Sequence, residues 1–420
     1  MFRDRFRWVI VGLLFAITVI DYIDRSAIAF AVPDIERELG LSATTMGLIL
    51  GAFGLGYAAT TLLGGLAVDR LGSRFVLAFS VAFWGLAIGA TGLATGFAML
   101  YAARVALGLA EGPSFPAVTV AVRRWLPADE RAGALAGALV AVPLALAVGA
   151  PLVSQLIDTF GWRAMFLTLV MLSFCWLPLW LVFYRDRPGD SPNVSKTELA
   201  VIQQGQSAEE PKRQAGKRPW RRLFATPTLL VNYWAFFVFG YFLFFFMSWL
   251  PGFLNKAYGI EIATAGLLAA LPWAAAAVTL LIFGGWSDRV LRRGGSLRQA
   301  RSLQIAGTQA IAALAVIPVA LIDSLTVAMI GITFAVAAAM AANAAYFAVN
   351  IDVLPNWSGT ALGIMDCCFA AAGFLAPVIT GIVYDASGSF SGAFLLLAAL
   401  AGSSVVLVLL FHRPDRDRAE

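Results

Sequence analysis

GGLAVDRLGSR occupies residues 64–74, and GGWSDRVLRRGG occupies residues 284–295. Aligning Gly65-x-x-x-Asp69-Arg70 with Gly284-x-x-x-Asp288-Arg289 gives an offset of 219 residues. Each stretch follows a long apolar run. Two more pairs recur downstream: LPADERAGALAG (126–137) with LPNWSGTALG (354–363), and GWRAMF (161–166) with SFSGAF (389–394). A near-constant offset close to half of the chain's 420 residues means a duplicated unit. Parallel repeats of this kind build the two halves of rocking transporters, with substrate bound between them near the midplane.

Composition says what the unit is made of. Apolar residues make up 60% of the chain and charged residues 13%, with a mean hydropathy of +0.81. A soluble domain is about 25% charged, and a disordered chain is more polar still. Both are excluded. A bilayer core takes roughly 20 apolar residues per helix, so twelve helices need about 240 residues.

Apolar runs between polar or Gly/Pro breaks predict twelve spans. Six lie at about 8–33, 43–67, 75–95, 97–122, 132–155 and 163–184, and six at about 226–250, 261–286, 301–320, 325–349, 358–384 and 391–411. The expected fold is an all-α membrane protein of twelve transmembrane helices in two six-helix bundles, 1–184 and 224–420. A polar cytoplasmic linker, 185–223, joins them and reads as flexible. Placing the N-terminus in the cytoplasm puts 25 of the 30 basic residues inside and only Arg37, Arg163 and Lys256 outside. Lys/Arg excess marks the cytoplasmic side, so both termini are expected there. The run from Trp8 exceeds signal-peptide length and offers no cleavage site, so it reads as the first span.

Several functions drop out. His412 is the single histidine and lies in the C-terminal tail. No histidine relay or His-ligated metal site is therefore expected within the spans. Cys175, Cys367 and Cys368 lack CxxC spacing and read as free thiols. The net charge of +5 is explained by topology, and no nucleic-acid partner is expected. No phosphate-binding loop or nucleophile–base set is present, so an enzyme is not expected.

With these motifs in place, the chain resembles the major facilitator superfamily. Gly65 to Arg74 matches that family's membrane-edge signature, and Arg104-x-x-x-Gly108-x-x-x-Gly112 matches a second pattern. Within the superfamily, YIDRSAIAFAVPDI (22–35), AEGPSFPA (110–117) and WLPADERA (125–132) resemble the anion:cation symporters. These include galactonate, glucarate and hexuronate carriers and relatives of sialic acid and vesicular glutamate carriers. The resemblance is denser in the N-terminal half. It implies proton-coupled symport of a small organic anion, a carboxylate, by alternating access. It also implies a monomer needing no cofactor beyond the coupling proton. The Ala/Gly-rich chain with short outer loops suggests a multi-pass protein of a bacterial inner membrane. The alternative is a proton-coupled exporter of drugs, metabolites or siderophore-like compounds. A non-transporting receptor on the same scaffold is a third reading, against which the intact edge signature argues.

Six ionisable residues fall inside predicted spans: Asp21, Asp24, Arg25, Arg104, Glu111 and Asp366. Each costs roughly 2.5–3.5 kcal/mol at a helix centre facing lipid, so they should face a cavity and one another. An arginine fork suits a carboxylate, and a desolvated carboxylate can exchange a proton near neutral pH. The resemblance distributes the roles. Arg25 contacts the substrate anion and Asp24 is a protonation site. Glu111 couples proton and substrate with Arg104 as its partner, and Tyr57 lines the cavity. Asp21, which departs from the family in standing where relatives often have Asn or another neutral residue, is added to the proton-coupling set as a buried acid on the face of Arg25. The alternative is that Arg25–Asp24 and Arg104–Glu111 are static helix-joining pairs. Asp69, Arg70 and Arg74, with Asp288 and Arg289, form the expected conformational latch.

The chain also departs from the pattern. Val140-Ala141-Val142-Pro143 offers no amide in the fifth span, and Asp366 stands where an asparagine is common. Two arginines against four acids leave an excess of negative charge. Asp366 is therefore expected to meet a cationic or hydroxyl-bearing part of the substrate, or to add a proton site. The alternative is a packing acid bonded to Asn350 or Tyr346. Tyr241 in the aromatic seventh span and Asn350 at the end of the tenth complete the substrate-binding candidates, with Arg25, Tyr57, Arg104 and Asp366.

Overall fold

The computed structural model describes residues 5–204 and 220–417, all helical or irregular, with no strand among them. In chain order the helices are α1 (Phe6–Leu39), α2 (Ala43–Leu71), α3 (Ser73–Gly92), α4 (Phe97–Glu111), α5 (Ser114–Trp125), α6 (Ala128–Phe183), α7 (Lys196–Gln204) and α8 (Trp220–Ala225). They continue as α9 (Pro227–Tyr258), α10 (Ile262–Arg292), α11 (Leu303–Leu321), α12 (Leu325–Ala341), α13 (Asn343–Val353), α14 (Ser358–Ser387), α15 (Ser391–Phe411) and α16 (Pro414–Asp417). Apolar runs take this form because hydrocarbon offers backbone groups no partner outside the helix. Eleven helical segments are long and apolar enough to cross a membrane. One of them, α6, has 56 residues; unbroken it would be ~84 Å long, far beyond a bilayer core. Gly161 interrupts it, at φ 80 and ψ 161, a conformation that residues with a Cβ avoid.

The predicted spans 97–122 and 325–349 are not continuous. The first breaks between Glu111 and Ser114, where Pro113 supplies no backbone N–H, giving α4 and α5. The second breaks at Ala342 (φ −89, ψ −2), giving α12 and α13. The Leu126/Leu354 offset places Pro113 against Ala341, so both breaks sit at one position of the repeat. Only the first has a proline to announce it.

The repeat also duplicates a cap. Asp186 accepts hydrogen bonds from Ser73 N (2.8 Å) and Arg74 N (3.3 Å) at the start of α3. Asp415 does the same for Leu297 N and Arg298 N, both at 2.8 Å, before α11. Carboxylates at these helix starts satisfy orphan donors and oppose the dipole.

The predicted flexible linker carries structure at its described ends. On α7, Glu198 is buried and accepts from Phe6 N (3.1 Å) and Arg7 N (2.9 Å), so the linker helix caps α1. Arg7 also pairs with Glu130 at 2.8 Å, tying in the start of α6. This end, with α16, is called the linker end, and the opposite one the distal end.

Candidate functional site

Asp21 and Arg25 lie one turn apart on α1 and share a face. Arg25 gives Glu111 Oε2 two hydrogen bonds, from Nη2 at 2.7 Å and Nε at 3.0 Å. Its Nη2 also reaches Asp21 Oδ2 at 3.1 Å. Three rings surround the guanidinium: Tyr22 at 4.5 Å, Phe53 at 4.6 Å and Tyr57 at 5.3 Å to their centroids. Cation–π attraction holds the charge where water is scarce. Asp21, Tyr22, Arg25, Tyr57 and Glu111, with Phe115, line a cavity of about 50 Å³ in the N-terminal half.

The expected pairings are corrected here. Arg104 makes no ion pair among the described residues. Its Nη2 donates to the Arg25 carbonyl at a long 3.5 Å, and its buried Nε has no partner. Seven helical residues rise ~10.5 Å, which separates Arg104 from Glu111 along α4. Asp24 does not pair with Arg25 either, being turned about 100° from it around α1. It is fully buried, with Oδ2 accepting from Ser173 Oγ at 3.0 Å, while Ser173 in turn accepts from Trp84 Nε1 at 3.1 Å. Oδ1 of Asp24 is left without a partner.

A larger cavity, about 570 Å³, parts the two halves at the linker end. Its walls include Thr61, Asp69 and Phe115 from one half and Phe347, Ile351 and Asp366 from the other. Phe115 lines both cavities. Asp366 makes no hydrogen bond or ion pair among the described residues. The packing alternative is therefore not the geometry found. Asn350 gives its amide to Tyr346 O (2.9 Å) and Met365 Sδ (3.2 Å), and the Tyr346 hydroxyl receives Gln309 Nε2 at 2.8 Å. Asn350 and Tyr241 are both buried within the C-terminal half and line neither cavity.

The halves are closed at the distal end. Lys256 Nζ lies 2.8 Å from Glu36 Oε2. Asp385 accepts from Ala43 N (3.2 Å) and Thr44 N (2.7 Å), capping α2 from across the interface. Below the cap, α2 turns Gly47, Gly51 and Gly54 to α14. A Cβ on Gly47 would stand 2.6 Å from Pro377 O, and one on Gly51 2.7 Å from Phe374 O. Small residues let the two backbones meet. At the linker end the expected latch is not engaged. Asp69, Arg70 and Arg289 are exposed and make no ion pair among the described residues. Arg74 donates to Leu181 O at 2.6 Å within its own half, and the Asp288 side chain lies outside the described residues.

The two halves thus meet at the distal end and are parted by a cavity at the linker end. The Major Facilitator Superfamily profile matches residues 14–374. The chain belongs to the major facilitator superfamily. It is 31% identical over 408 residues to the hexuronate transporter of Bacillus subtilis, spanning 96% of this chain and 94% of that one. It is 32% identical over 428 residues to a probable sulfoacetate transporter of Cupriavidus necator, spanning 100% of this chain and 98% of that one. Such relatives are of the anion:cation symporter type expected from the motifs, and they are transporters, not enzymes. A bacterial homolog of the human lysosomal transporter Spinster superposes with a TM-score of 0.75 at 18% identity, covering 99% of both chains. A D-xylose–proton symporter does so with a TM-score of 0.75 at 15% identity, covering 98% of this chain and 99% of that one. At those identities the likeness concerns the fold.

Motif reading therefore found Arg25, Glu111, Asp21 and Tyr57, which the structure brings together. It passed over Tyr22, although that residue begins the quoted YIDR stretch. It also passed over Ser173 and Trp84, whose polar atoms are invisible as partners until the helices pack. Glu36 and Lys256 carried a signal, since Lys256 was one of few basic residues on its side.

Proposed function

We propose that this facilitator takes up a small organic anion, a carboxylate, in symport with protons by alternating access. It crosses a bacterial inner membrane twelve times, with α6 making two crossings about Gly161, and holds both termini in the cytoplasm. The bundles 1–184 and 224–420 rock about the site as a monomer. The observation that carries the reading is Arg104, a buried guanidinium with no carboxylate partner among the described residues, 5.4 Å from the Phe53 ring centroid beside the Arg25 cluster. An unpaired buried cation is costly and calls for an anion. Relatives named for hexuronate and sulfoacetate carry organic anions.

The geometry suggests how a proton would follow the substrate. Glu111 and Asp21 share the single guanidinium of Arg25. A substrate carboxylate that takes Arg25 removes their counter-charge, and a buried carboxylate without one favours its neutral form. Binding of the anion and of a proton are then linked. Asp24, whose one partner among the described residues is Ser173, is a second proton site. The linker-end residues Asp69, Arg70, Arg74, Asp288 and Arg289 latch the halves when the distal end opens.

Purified protein in liposomes tests this. Uptake of labelled glucuronate should rise with an inward proton gradient and persist without sodium. A rise with the opposite gradient would establish the exporter reading instead. Loss of uptake when sodium alone is removed would refute proton coupling.

A further inference from the structure

Asp366 makes no ion pair among the described residues. Arg25 is already paired with Glu111 and Asp21, Asp24 is bonded inside its own half, and Asp366 remains as an acid facing the larger cavity. That cavity's lining contains Asp69, at the mouth, and Asp366, and no Lys or Arg. Most of the other lining residues are apolar: Phe115, Pro116, Val120, Leu135, Leu139 and Phe347 among them. The Arg25 cluster lines the smaller cavity of the N-terminal half, which shares Phe115 with this one. Tyr57 lines that smaller cavity, with Arg25 5.3 Å from its ring centroid. A substrate reaching from Arg25 across the interface meets acid, not base, at its far end.

We infer that Asp366 selects the substrate class. The carried molecule is a monocarboxylate whose far end presents a hydrogen-bond donor, hydroxyl or ammonium, to Asp366, and dianions are rejected. An ionised carboxylate accepts hydrogen bonds from a donor and repels a second carboxylate. It therefore separates molecules of the same length and shape by the group at one end. Rejection by an unpaired like charge is a common route to specificity. A neutral amide at position 366 would accept and donate, and would not make this distinction. The inference deepens the anion-uptake reading and rests on it.

The test uses two matched pairs competing for binding to the full-length protein in nanodiscs. D-glucuronate and D-glucarate share a six-carbon hydroxylated chain, with one carboxylate against two. 3-Hydroxypropionate and malonate do the same at three carbons. Wild-type protein is expected to prefer the monoanion of at least one pair by tenfold or more. Asp366→Asn should narrow that ratio to threefold or less, and Asp366→Glu should keep it. Asp366→Ser is a second neutral variant should the asparagine form fail to fold, and the wild-type ratio needs no variant. Equal binding or dianion preference in the wild type overturns the inference, as does an unchanged ratio in both neutral variants. The underlying reading fails differently. Binding of all four probes that survives Arg25→Gln and Arg104→Gln would overturn anion recognition by these arginines. No binding of any probe to the wild type would overturn the carboxylate reading, and this inference with it.

Discussion

Lys256 Nζ, near the end of α9, lies 2.8 Å from Glu36 Oε2 on α1, and this ion pair joins the two halves at the distal end. Its side chains are 16% and 14% exposed, between a surface pair and a buried one. The pair exists only while the distal end is closed. Removing one partner should therefore shift the conformational balance rather than the folding of either half. Lys256→Met is expected to favour the open distal end by about 1–2 kcal/mol, between the values for exposed and buried pairs. That is roughly a 5- to 30-fold change in the ratio of states. Spin labels at Thr159 and Asp323 would report it as a longer distance. Exchanging the charges, Glu36→Lys with Lys256→Glu, should bring the short distance back, and failure to do so would show that the pair does not set the equilibrium.

Glycines on α2 act at the same closure. Gly47→Ala would place a methyl 2.6 Å from Pro377 O, a backbone atom that cannot swing aside. The substitution should block distal closure while leaving each bundle folded. Expected results are normal expression, at least tenfold slower uptake, and distal labels held apart. Gly307→Ala is the control, since a Cβ there meets nothing within 4 Å. It should leave uptake within twofold of wild type. Slow uptake in both variants would mean that the close approach of α2 and α14 is not the reason.

Arg25 holds two acids, so its loss should be felt in folding as well as binding. Arg25→Gln leaves Glu111 and Asp21 buried without counter-charge, at a cost of about 3–5 kcal/mol if they stay ionised. A clear drop in the thermal midpoint together with lost carboxylate binding is expected. Arg25→Lys should recover part of the stability and less of the binding, because an ammonium cannot reproduce the fork toward Glu111. Full binding in Arg25→Lys would show that geometry matters less than charge.

Asp24 allows a cleaner separation. Asp24→Asn keeps an oxygen to accept from Ser173 and removes the ability to carry charge. If Asp24 is a coupling proton site, substrate exchange across the membrane survives while accumulation against a gradient is lost. Ser173→Ala should have a smaller effect on accumulation and should not mimic it. Unaltered accumulation in Asp24→Asn would remove Asp24 from the coupling set.

How much of this was legible beforehand depends on the kind of signal. Hydropathy and the Gly65/Gly284 repeat carried the fold, because hydrocarbon allows a long apolar run little besides a helix. The break at Gly112–Pro113 was readable from proline, whereas its repeat mate at Ala342 was not, since nothing in Ala341-Ala342-Asn343 forbids a helix. Partners were the weak point. Asp24 and Arg25 are neighbours in sequence, yet a 100° turn of the helix sends one to Ser173 and the other to Glu111. Helical spacing says which residues share a face and not what lies opposite. The C-terminal half illustrates the same limit: Asn350 looked available for substrate and is spent on Tyr346 O, which only packing could reveal.

His412 gives a pH test independent of the transport site. It follows α15 at the linker end, is wholly buried, and has Nδ1 2.7 Å from Ser302 Oγ. Burial disfavours its charged form and lowers its pKa from 6.5 to about 4, with Asp417 opposing the shift weakly. The unfolded chain therefore takes up a proton below about pH 6.5 that the folded chain refuses until about pH 4. Stability from this group is fully present above pH 6.5 and falls as pH drops through that window. The full loss is about 3 kcal/mol at 1.36 kcal/mol per unit. Because Asp415 and Asp417 hold the starts of the helices beside it, the loss should begin as release of residues 412–417. The wild-type thermal midpoint should fall between pH 7.5 and 5, with earlier proteolysis of the C-terminal tail. His412→Gln should start lower, having a poorer fit to Ser302, and change less over the same range. A variant whose midpoint falls as steeply as the wild type's would place the acid sensitivity elsewhere.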